Sequence, residues 1–241
     1  MRALRHNGIF PEATSEKALF YYITDRRSLT AQNEASLLRR VRKIISRGVD
    51  FVQIREKDLS DRRLLELTRR IVEMAREVPR AVRCRILVNG RADIAAAAGA
   101  DGVHLTSSDL GILDMRAWIP KKFIVGASVH TMREIRAACA RGVDYVLVGH
   151  VFPTVSKEGM GAALGVGFLR RACIEASVPV FALGGITAER IHAVMQAGAV
   201  GVAGISLFQN DDGFGIFRGF LRQPLKIPKS RLATEPKAEF T

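Results

Sequence analysis

Four segments of this chain repeat one short pattern: RGVDFVQI at 47–54, AGADGVHL at 98–105, RGVDYVLV at 141–148 and AGAVGVAG at 197–204. Each sets a glycine ahead of a small or acidic residue and a brief apolar run rich in valine. Glycine tolerates left-handed backbone and ends helices, so the pattern reads as a helix that stops and a buried strand that starts at once. The glycines Gly48, Gly99, Gly142 and Gly198 are separated by 51, 43 and 56 residues. Each interval holds two strand–helix units. Further apolar runs fall between the repeats at FYYIT (20–24), CRILVN (84–89), FIVGAS (123–128) and VPVFAL (178–183), which makes eight strands.

Helical periodicity fills the gaps. Ser60 is placed to cap a helix whose stripe Leu64, Leu67, Ile71, Met74 and Val78 recurs at steps of three and four. Leu38, Val41 and Ile45 form a second stripe ending at Gly48, and Ile191, Val194 and Met195 a third before Gly198. Thr131 to Glu134 has the spacing of a capping box, opening a helix through Ile135 and Cys139. Strand and helix alternating eight times predict an α/β fold, a single-domain (β/α)₈ TIM barrel, with an open doubly wound sheet as the alternative. The barrel is expected over 18–222, between a poorly ordered extension at 1–17 and a flexible basic tail at 223–241.

Composition narrows the function. The 241 residues hold no apolar run near the roughly 18 that cross a bilayer, and the basic start lacks the apolar stretch of a secretory signal. Three cysteines without a C-x-x-C pair fit reduced thiols in a cytoplasmic protein. The net charge is +13, and 26–91 alone carries 18 basic and 8 acidic side chains. Such a field draws anions, either phosphorylated metabolites or nucleic acid. Aromatics are only 7% of the chain and none interleaves the basic runs, which disfavours nucleic acid.

In such barrels chemistry sits where strands end and helices begin. Polar and glycine residues gather at those positions, including Arg55 to Asp58, Asn89 to Arg91, His104 to Asp109, Ser128 to His130 and Gly149 to Lys157. Gly184 and Gly185, with Gly204, Ile205 and Ser206, follow the seventh and eighth strands, where bare N–H groups can hold a phosphate; the alternative is glycine serving only a tight turn. Arg55 and Lys57, with Ser156 and Lys157 from another loop, offer charge-assisted donors to a second phosphate or pyrophosphate. His130, at a strand end beside the Thr131 cap, is the leading acid–base candidate, with His104 and His150 as competitors. Asp109 is either a hard-cation ligand or a helix cap. Gly159 to Gly161 reads as a flexible loop, and no G-x-x-x-x-G-K-[ST] motif is present.

At QIREKD (53–58), LVNGRADIA (87–95), GADGVHL (99–105), GASVHT (126–131), DYVLVGHVFPTVSKEG (144–159) and FALGGIT (181–187) the chain resembles the thiamine phosphate synthase/TenI superfamily, over roughly residues 19–210. The resemblance implies a (β/α)₈ barrel with pyrophosphate-type ligation by Arg55, Lys57, Asn89, Ser128, Thr154, Ser156 and Lys157. It further implies thiazole-phosphate contacts near Gly185 and Ser206. In the synthase branch, an Asn-Asp pair after the third strand and a Gly-Gln-x-Asp stretch after the fourth supply Mg²⁺ ligands. Here the first reads Asn89-Gly90 and the second Thr106 to Asp109, so one carboxylate is missing. Asn89-Gly90-Arg91, Ser128-Val129-His130 and Gly149 to Phe152 look like the TenI branch, in which the histidine matching His130 moves a proton. The expectation is therefore a thiazole tautomerase acting on a small phosphorylated thiazole without a cofactor. The alternatives are a synthase joining hydroxymethylpyrimidine pyrophosphate to thiazole phosphate with Mg²⁺ at Asp109, and a non-catalytic barrel binding thiazole phosphates or nucleic acid. No membrane partner is expected, and a homo-oligomer is compatible with each reading.

Overall fold

Eight parallel strands pair in chain order, and β1 pairs with β8 to close the ring. They are β1 (Leu19–Ile23), β2 (Phe51–Ile54), β3 (Arg85–Asn89), β4 (Gly102–Leu105), β5 (Ile124–Val129), β6 (Tyr145–Gly149), β7 (Val180–Leu183) and β8 (Gly201–Gly204). The computed structural model describes residues 10, 18–78, 84–106, 119–154 and 161–208. All eight strands fall on the apolar runs singled out in the sequence, and closure excludes the open doubly wound sheet. The four repeat glycines all take positive φ, at +83°, +69°, +78° and +103°, directly ahead of β2, β4, β6 and β8.

The strands are buried on both faces, which is why they read as unbroken apolar runs. Alternate residues such as Phe20, Val52, Val88, Val103, Val125 and Val146 point outward into a layer shared with the helices. The others, including Tyr21, Phe51, Leu87, Ile124, Tyr145 and Phe181, fill the lumen. Phe10 reaches this inner cluster from outside the strands, its ring 5.6 Å from Phe51 and 6.3 Å from Phe181. It is the one described residue of the 1–17 extension; the tail at 223–241 lies outside the described residues.

Six α-helices are present among the described residues: α1 (Glu34–Ser46), α2 (Asp61–Arg76), α3 (Ala92–Ala98), α4 (Met132–Ala140), α5 (Gly165–Glu175) and α6 (Ala188–Gln196). The capping box at α4 forms, with the Thr131 hydroxyl accepting from the Glu134 N–H at 3.2 Å. Ser60 stands at the N-cap of α2, but its hydroxyl makes no capping bond, so position without the hydrogen bond opens that helix. No helix among the described residues is long and apolar enough to cross a membrane. The three cysteines are free thiols.

Candidate functional site

Closure brings the C-terminal ends of the strands to one rim. In register, Asn89 at the end of β3 lies beside His104 on β4, Leu105 beside Ala127, and Ser128 on β5 beside Leu147. Asn89 and Ser128, read separately from the sequence, therefore stand on the same rim with only β4 between their strands.

A polar chain connects them through the lumen. Gln53 donates from Nε2 to Asn89 Oδ1 at 2.9 Å and accepts at Oε1 from the Tyr21 hydroxyl at 2.9 Å. The Tyr21 and Tyr145 hydroxyls are 2.8 Å apart, and Tyr145 lies 2.9 Å from His104 Nδ1. His104 Nε2 is 2.9 Å from Ser128 Oγ. Burial raises both tyrosine hydroxyls well above the ordinary phenol range, so both stay protonated at neutral pH. Gln53, Tyr21 and Tyr145 were not among the residues drawn from the sequence, and His104 entered only as a competitor to His130. The available signal was parity: Phe51 and Gln53 share one face of β2, so a glutamine following a core phenylalanine points into the barrel.

The REKD stretch divides its work. Arg55 is half-buried just past β2, its backbone N–H on the Thr24 hydroxyl at 2.9 Å, and Lys57 is exposed. Glu56 turns inward and is 4% exposed. Burial raises its pKa, against the lowering effect of hydrogen bonds from Thr24 and Arg26. Arg26 bridges Glu56 at 3.0 Å and Asp58 at 2.6 Å. This bracket ties the β1 and β2 loops together and fixes the turn that carries Arg55 and Lys57.

On the opposite arc, Gly184 and Gly185 have φ of +92° and +64°. A Cβ at Gly184 would meet the His150 side chain at 2.4 Å, and one at Gly185 the Pro153 carbonyl at 2.6 Å. Their packing requirement is thus established independently of any ligand. Arg190 stacks over Phe152 at 4.8 Å and donates to the Gly185 carbonyl at 2.6 Å, holding the β6 and β7 loops in register. Gly204 ends β8, Ile205 is half-buried, and Ser206 is exposed at the start of a 3₁₀ turn. Thr154 is half-buried beyond β6.

His130 is exposed at the end of β5, with Nδ1 bonded to the Gly149 carbonyl. That bond uses one ring nitrogen on the backbone of the neighbouring strand and leaves Nε2 for other contacts. Arg91 chelates Asp93 and also bonds Asp61. Ser156, Lys157 and Asp109 lie outside the described residues.

A family model described as thiamine monophosphate synthase matches residues 20–208. A thiamine-phosphate synthase of Syntrophomonas wolfei is 38% identical over 77% of this chain and 86% of the relative. One from Methanoculleus marisnigri is 41% identical over 66% of this chain and 74% of the relative. A solved thiamine phosphate pyrophosphorylase from Pyrococcus furiosus superposes with a TM-score of 0.73 at 29% identity, covering 87% of this chain and 98% of that one. These findings overturn the expected thiazole tautomerase: these relatives are named for the synthase, the reading given above as the alternative. The expectation failed because Gly90, in place of a carboxylate, and His130, at a strand end, were read as marks of the other branch. The bond from His130 Nδ1 to the Gly149 carbonyl links the ends of β5 and β6.

Proposed function

The chain belongs to the thiamine monophosphate synthase family, and we propose that it joins hydroxymethylpyrimidine pyrophosphate to thiazole phosphate. The bond from the pyrimidine methylene to the pyrophosphate oxygen breaks, and pyrophosphate leaves with the electron pair. The thiazole ring nitrogen forms the new C–N bond. Arg55 and Lys57 supply charge-assisted donors to the departing pyrophosphate, joined in this reading by Thr154, Ser156 and Lys157. Asn89 and Ser128, which the resemblance puts with the pyrophosphate ligands, are assigned here to the pyrimidine half at the mouth, because they end the polar chain that runs through the lumen. Gly184, Gly185, Gly204, Ile205 and Ser206 receive the thiazole phosphate on the opposite arc through backbone N–H groups. The observation that carries this reading is the convergence of Arg55, Asn89 and Ser128, from three strands, on one closed rim.

Mg²⁺ needs separate treatment. Gly90 brings no carboxylate to the end of β3, and Asp61 and Asp93 are held by Arg91. Among the described residues no three His, Cys, Asp or Glu side chains converge to hold a metal. Asp109, the carboxylate expected to hold Mg²⁺ in the synthase reading, lies outside the described residues; an ion held there would neutralise the departing pyrophosphate together with the arginine and lysine side chains. Three free thiols support a reducing, cytoplasmic setting.

The test is direct. Purified protein given both substrates, with and without Mg²⁺, should form thiamine phosphate, and Arg55→Ala should lower turnover by about 10²-fold or more while the circular dichroism spectrum is unchanged. A wild-type protein that forms no thiamine phosphate under either condition ends the reading.

A further inference from the structure

Gln53, Tyr21, Tyr145 and His104 each put a polar group inside a lumen otherwise lined by Phe51, Phe181, Leu87 and Ile124. Polar groups in such surroundings are costly unless satisfied, and phenylalanine would fill the two tyrosine positions as well. The protons of the chain can be counted. Tyr21 gives its hydroxyl proton to Gln53 Oε1. Having one proton only, it then accepts from the Tyr145 hydroxyl. Tyr145, its own proton spent, accepts from His104 Nδ1. A neutral imidazole protonated at Nδ1 is bare at Nε2, so the Ser128 hydroxyl donates there. At the other end Asn89 Oδ1 is occupied by the Gln53 amide.

We propose that Tyr21 and Tyr145 are positioning residues that fix the direction of this proton chain and so set Asn89 as a donor and Ser128 as an acceptor at the barrel mouth. Asn89 is left its Nδ2–H groups to offer a ligand, and Ser128 its oxygen lone pairs. The mouth thereby selects a ligand face that pairs an acceptor with a donor. This deepens the synthase reading and rests on it for the ligand, whereas the proton order inside the barrel does not depend on it. Gly126 is part of the device, because a Cβ there would lie 1.9 Å from the Tyr145 ring and 2.3 Å from its hydroxyl oxygen.

The decisive measurement is the tautomer of His104, read by ¹⁵N NMR of the full chain at neutral pH with His104→Gln for assignment. The wild-type ring is expected as a single Nδ1–H tautomer. Tyr21→Phe removes a hydroxyl that is bonded to neither His104 nitrogen. Tyr145 then loses its acceptor, turns its proton onto Nδ1, and His104 is expected to switch to Nε2–H. A Tyr21→Phe ring that stays Nδ1–H overturns the proposal. So does a wild-type ring that is Nε2–H, doubly protonated or mixed, which keeps the test decisive even if the variant fails to fold. In the synthase assay Tyr21→Phe should raise KM for the pyrimidine substrate about tenfold with kcat nearly unchanged, as for lost uniform binding. A tautomer switch in a protein without synthase turnover sinks the functional reading alone; turnover without the switch sinks this proposal alone.

Discussion

At Gly126 the difference between a hydrogen and a methyl group determines whether the Tyr145 ring can cross the lumen. Gly126→Ala puts a carbon inside that ring, and β5, paired with β4 and β6 on either side, has little room to yield. Overpacking of this kind costs about 1–3 kcal/mol. Thermal unfolding should show it as a drop of roughly 2–12 °C in Tm. An unchanged Tm would mean that the ring moves aside freely. Single residues were also where sequence reading was least complete. Asn89 and Ser128 were legible because polar groups at strand ends stand out. Tyr21, Gln53 and Tyr145 were not, because within apolar strands a hydroxyl or amide looks like any other member of the run. Only the closed ring brings strands as distant as β1, β2 and β6 within hydrogen-bond reach of one another.

Between elements, the Arg91 clamp joins the first turn of α2, through Asp61, to the first turn of α3, through Asp93. Hydrogen bonds from Arg91 hold both carboxyls below the usual range. A depressed folded value means that the stabilisation is present above the unfolded pKa of about 3.9 and is lost as pH falls through the folded values. Glu56 has the opposite sign, since burial raises its pKa and its contribution declines as pH rises through that raised value. Arg91→Ala should therefore flatten the fall in Tm between about pH 4 and pH 2. An acid limb as steep as that of the wild type would show that the clamp contributes nothing. The elements themselves were largely legible. Glycine-then-valine punctuation marked the strands, and apolar stripes marked α1, α2, α4 and α6. Helices α3 and α5 escaped: α3 is a short, alanine-rich run without a capping bond at Arg91, and at α5 Leu164 makes no side-chain capping bond and glycines occupy the first and third positions.

For the molecule as a whole, the (β/α)₈ architecture followed from the repeat, but the choice of reaction did not. Gly90, where a carboxylate was expected, changes one ligand and leaves the rest of the rim in place, so it does not by itself decide the reaction. Stability is better defined. Phe10 is 7% exposed and contacts the rings of Phe51, Tyr145 and Phe181. Phe10→Ala should destabilise the protein by about 3–5 kcal/mol, measurable by urea titration, with the cavity opening among the lumen aromatics. A shift under about 1 kcal/mol would show that those rings close over the gap.

Phe10 adds one more ring to side chains that already pack the lumen, so the ring of strands is a solid pedestal. Anything held at Asn89 and Ser128 rests on top of it and meets solvent from that side alone.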